Sequence, residues 1–169
     1  MAKKFVLSAA RLHDLNLFLG SITPAELTDS VPAEPMKAIS RLPKVIDESI
    51  EPADKPFMDF YKEVVDVKSE AALAPFNVQL KEINDHDVSD EAKKALREPV
   101  LKAANEAIAA LRVELGVIEK EKELVEVTIT SDEKFELVKV LFDKLGSKKF
   151  QIVRAMAEIK DAFDGAKEA

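Results

Sequence analysis

A chain of 169 residues with 47% hydrophobic and 34% charged residues is long enough to bury a core and is neither disordered nor fibrous. The absence of cysteine excludes disulfides and thiolate metal sites, and a formal charge of −7 argues against broad contact with a phosphate backbone. No apolar run approaches the roughly 20 residues needed to span a bilayer, and MAKKFVLSAARLHDL lacks the apolar core of a signal peptide. Neither secretion nor a membrane span is therefore expected, and the chain is expected to be made and kept in a cytoplasm.

The first predicted element is a short strand in KKFVLS, residues 3–8, closed by Ser8. Leu12, Leu15, Phe18 and Leu19 then recur at helical spacing, so the strand runs into a Ser-capped helix ending near residue 20. Six of the eight prolines follow between positions 24 and 56, which predicts an irregular segment over 21–56 with a short helix around 36–50.

From Phe57 the apolar residues become regular. Phe57, Phe60, Val64, Val67 and Ala71 alternate steps of three and four, and Leu73, Phe76, Leu80 and Ile83 continue after a shift of phase. The seam resumes as Leu101, Ala104, Ile108, Leu111, Leu115 and Ile118. This pattern predicts an antiparallel helical hairpin over 57–119, with helices of about 40 Å. Pro75 and Pro99 lie equally far from its midpoint, so both breaks fall at one height and the tip bends as a unit.

A second strand is predicted in VEVTIT, residues 125–130, capped by Ser131 and followed by Phe135, Val138, Leu141 and Phe142. Two lone strands have to satisfy their backbone groups, so pairing with residues 4–8 is expected. Gly146 is expected to end this helix, and Ser147 to begin a last one with Phe150, Val153, Met156, Ile159 and Phe163 facing inward. The final GAKEA should fray. The fold class is mainly α in a single domain, 1–169. A long antiparallel hairpin and flanking helices accompany a small two-stranded β pairing that joins the N-terminal and C-terminal segments.

The connection at 82–91, EINDHDVSDE, holds five carboxylates and no Lys or Arg. Asp85, Asp87 and Ser89 match the first, third and fifth positions of a calcium loop, but Asp90 stands where glycine makes the turn and Leu96 where a bidentate Glu completes the ligand set. A hairpin tip explains the residues better: Asn84 and Asp85 favour helix termination, and Ser89 with Asp90 and Glu91 caps the next helix. His86 follows Glu82 by four positions without the second histidine or facing carboxylates that zinc and di-iron helices use. His13, beside Asp14, is expected on the solvated side of its helix. Gly146-Ser147-Lys148 lacks the upstream glycine of a phosphate loop. No catalytic residue, metal or cofactor is expected; the candidate contact surface is the acidic tip formed by Glu82, Asp85, His86, Asp87, Asp90 and Glu91.

The element order, carried by FVLSAARLHDLNLFL, the acidic hairpin, ELVEVTITSDEKFELVKVLF and FQIVRAMAEIKDAF, resembles a group of small helical proteins encoded by tailed bacteriophages. The prolines of 24–56 depart from that pattern. The resemblance implies a non-enzymatic accessory protein acting by protein–protein contact in the virion or the host cytoplasm. Its partners would be copies of itself or other virion subunits, as in a tail, neck or capsid accessory. The alternative is a small acidic inhibitor of a host factor, such as a defence nuclease, that presents carboxylates where phosphates bind.

Overall fold

Alternation of apolar and polar residues builds two strands that find each other. β1 (Lys3–Ser8) and β2 (Leu124–Ile129) pair antiparallel, Lys3 opposite Ile129 and Ser8 opposite Leu124, with Phe5, Leu7, Val127 and Ile129 on the buried face. Each runs into a helix that a serine caps. Ser8 Oγ accepts from the Arg11 N–H (3.4 Å) at the start of α1 (Ala9–Gly20), and Ser131 Oγ accepts from the Lys134 N–H (3.3 Å) at the start of α8 (Asp132–Lys149). The computed structural model describes residues 1–149 and 153–169, with only the backbone given at 153 and 154. It is 79% helical, and the chain is therefore mainly α.

By contacts the chain divides into two units, residues 1–58 with 121–169, and residues 59–120. The first holds the large core. Leu12, Leu15, Leu19, Val138, Leu141 and Phe142 are buried, and a run of aromatic edges links Phe5 to Phe163 (5.3 Å), Phe163 to Phe142 (5.5 Å) and Phe142 to Phe18 (5.6 Å). The sheet has three strands, not two. β3 (Lys167–Glu168) pairs with Lys3 and Lys4, and the Ala169 N–H donates to the Ala2 carbonyl (3.0 Å), so the terminal residues expected to fray are bound to β1.

The helix expected around 36–50 is present, but the rest of the proline-rich segment, expected to be irregular, is largely helical too. α2 (Pro24–Ser30) and α3 (Pro35–Val45) each begin on a proline, in the first turn, where a missing N–H costs no intrahelical bond. Thr23 and Glu26 form a reciprocal capping box on α2. Pro52, near the start of α4 (Glu51–Asp59), has no N–H for the Glu48 carbonyl. There the chain widens into a π-helical turn over Ile46–Ile50, closed by the Glu51 N–H on the Ile46 carbonyl.

Near the other end, α8 does not stop at Gly146. It continues to Lys149 because Gly146 keeps helical geometry under Phe142 and Met156, and Lys149 Nζ bonds the Ser21 carbonyl (2.9 Å) and Glu26 (2.9 Å). α9 (Val153–Asp164) buries Ile159 and Phe163. The inward placement expected of Phe150 and of the Val153 side chain lies outside the described residues.

In the second unit a π-helical stretch, Phe60–Asp66, precedes α5 (Val67–Asp85). A π turn rotates the chain by less than the roughly 100° per residue of an α-helix, so the apolar stripe changes face. That is the origin of the phase shift: Val67 and Ala71 end up exposed, and Leu73, Phe76, Leu80 and Ile83 take over the half-buried seam. α6 (Asp90–Glu114) packs antiparallel on α5, with Asn84 held by Lys93 and Arg97 near one end and Tyr61 held by Arg112 near the other. Both helices run unbroken through Pro75 and Pro99. The second helix ends sooner than expected, however. Gly116, at φ 63°, closes α6, and α7 (Val117–Lys122) follows, leaving Ile118 exposed.

Candidate functional site

Every residue of the predicted tip is exposed and lies where α5 hands over to α6. Glu82 and Asp85 sit in the last turn of α5, His86 and Asp87 in the connection, and Asp90 and Glu91 in the first turn of α6. Ser89 caps α6, its Oγ accepting from the Ala92 N–H (3.3 Å), so Asp90 and Glu91 lie against the positive end of the helix dipole. The tip is less acidic than its ten residues suggest. Lys93 Nζ donates to the Asn84 carbonyl (2.9 Å) and Arg97 to the Asn84 side chain, which brings two cations back onto the turn.

The rest of the hairpin is notable for how little it covers. α5 contains no buried side chain, and α6 buries only Ala104. Two helices side by side shield only the residues between them. Apolar side chains remain on the outside: Val78 is 58% exposed, Leu101 48% and Val113 70%. Among the described residues of 59–120, Val65, Ala104 and Val117 are the only buried hydrophobics.

One polar constellation was not foreseen. Asp54 on α4 is fully buried, and its Oδ2 accepts from Asn16 Nδ2 (2.8 Å) and lies 2.9 Å from His13 Nδ1, both on α1, while the His13 ring packs on Phe57 at 5.6 Å. His13 is thus half-buried and paired, not on a solvated face. A carboxylate at this position orients an imidazole and clamps two helices together. The sequence carries a trace of it, because Ile50, Asp54 and Phe57 share one helical face and all three are buried. A charged residue on an apolar stripe marks a buried polar contact.

Nearby, Arg11 bridges α1 and α9 through Glu158 (2.6 Å) and pairs with Asp14 (2.7 Å); the hydrogen bond to Glu158 raises the guanidinium pKa. No three His, Asp or Glu side chains converge as metal ligands among the described residues, and no described helix is long and apolar enough to cross a membrane. Comparison of the chain with protein-family models, with curated proteins and with solved structures finds no match.

Proposed function

We propose that the protein is a non-enzymatic subunit that works by protein–protein contact through its helical hairpin, as a structural or assembly component of a phage particle. The observation that carries this reading is the mismatch between the units. Residues 1–58 and 121–169 close around their own core, whereas α5 and α6 leave half-covered seams and exposed Val78, Leu101 and Val113. A helix face of this kind gains its burial from a neighbour. The acidic tip, Glu82 to Glu91, adds steering toward basic surfaces more than affinity. The phage assignment rests on the resemblance in element order and caps.

The test is quantitative mass spectrometry of purified particles of the encoding phage. The chain should be present at a fixed copy number, and Leu101→Glu with Val113→Glu should abolish incorporation while unit 1 stays folded. Absence from particles, with recovery on a host protein instead, would contradict the structural role.

A further inference from the structure

On α6, residues four apart form ridges along the helix surface. One ridge is Lys94, Glu98, Lys102 and Glu106; the next is Arg97, Leu101, Asn105 and Ala109, with the Arg97 guanidinium engaged by Asn84; between them lies a groove about 18 Å long. The four residues of the first ridge alternate in sign and are all exposed. None of them enters a hydrogen bond or ion pair among the described residues. Read backwards, the row is its own complement.

We infer that a second copy of this chain docks here, its ridge in the groove of the first, with the two α6 helices antiparallel about a two-fold axis near residue 100. This rests on the proposed contact role of the hairpin and names the partner. Packing of i, i+4 ridges into grooves is the commonest helix–helix arrangement and lays the two rows side by side. Lys94 then faces Glu106 of the second copy and Glu98 faces its Lys102, each pair made twice. Parallel docking sets Lys94 on Lys94, and an antiparallel slip of one turn sets Lys94 on Lys102, so the charges select one orientation and one register. Leu101 and Ala109 provide the apolar floor. A single helix crossing falls below the size of a stable interface, so the dimer is weak, reversible and salt-sensitive.

Sedimentation velocity across a concentration series tests the pairing. The wild type should show monomer–dimer exchange at low salt and mostly monomer at about 1 M salt, where the screening length is about 3 Å. The all-acidic row (Lys94→Glu, Lys102→Glu) and the all-basic row (Glu98→Lys, Glu106→Lys) should each stay monomeric and dimerise when mixed. Like charges four apart weaken a helix, so a fully inverted row (Lys94→Glu, Glu98→Lys, Lys102→Glu, Glu106→Lys) is the decisive variant. It keeps the alternation and restores every antiparallel pair with its sign reversed, so it should pair with itself as the wild type does. A wild type that stays monomeric at low salt, or an inverted row that fails to pair with itself, overturns the inference. Either result leaves incorporation into particles as the separate test of the contact role.

Discussion

At the scale of single residues, the Asp54 cluster is the most consequential contact. Burying a carboxylate is costly unless donors replace the lost water; Asn16 supplies one to Oδ2, with His13 Nδ1 2.9 Å from the same oxygen, while Oδ1 is buried with no partner among the described residues. Asn16→Ala removes one donor and leaves the charge behind, so a loss of about 1–3 kcal/mol in urea unfolding is expected. Unchanged stability would mean that Asn16 contributes nothing to holding α4 on α1. Gly116 is the other sensitive position, since its left-handed backbone penalises any Cβ. Gly116→Ala should cost about 1–2 kcal/mol, read as a lowered melting temperature.

Several surface carboxylates give the protein its acid response. Glu26 is held below the usual carboxylate range by the Thr23 N–H and by Lys149, Glu48 by Lys134, and Asp164 by Lys139. A depressed carboxylate stabilises the fold above its unfolded pKa, and that contribution disappears as pH falls through the folded value. Stability should therefore be flat near neutrality and fall below about pH 4. Lys134→Met should make that fall shallower, because Glu48 then no longer prefers its charged form in the folded state. An identical acid profile in the variant would show the pair to be inactive.

At the scale of elements, local chemistry wrote the strands and their caps plainly. Alternation fixed VEVTI as a strand, Ser8 and Ser131 announced the helices, and both four-residue apolar sets after them are buried. The proline segment was not legible, because a proline can start a helix, as Pro24 and Pro35 do, or sit inside one, as Pro43 and Pro56 do, and its presence alone does not say which. Pro24 and Pro35 take the first turn, and Pro52 is accommodated by widening the turn before it, an adjustment that its presence alone does not announce. β3 is two residues long and exists only because Lys3 and Lys4 offer an edge. Of the candidate contact surface, the tip residues stood out in sequence, whereas the buried Asp54 cluster depended on recognising helix through the prolines. Hydrogen exchange should separate the elements: β1, β2, α1 and α8 protected longest, α5 and α6 exchanging sooner because so few of their side chains are buried. Slowest exchange in the hairpin would contradict that order.

At the scale of the whole molecule, one unit supplies the core and the other supplies surface. A hairpin whose helices cover only their mutual seam is stabilised most when something lies against it, and any binding to the folded state raises stability by mass action. The acidic end contributes long-range steering, while the alternating row on α6 contributes register. The measurement that bears most directly on this division is hydrogen exchange of the free chain against the assembled one, whether dimer or particle. The account predicts slowed exchange confined to α5 and α6, residues 67–114, with the sheet and α8 unchanged. New protection along the outer edge of β2, with the hairpin unaltered, would contradict it.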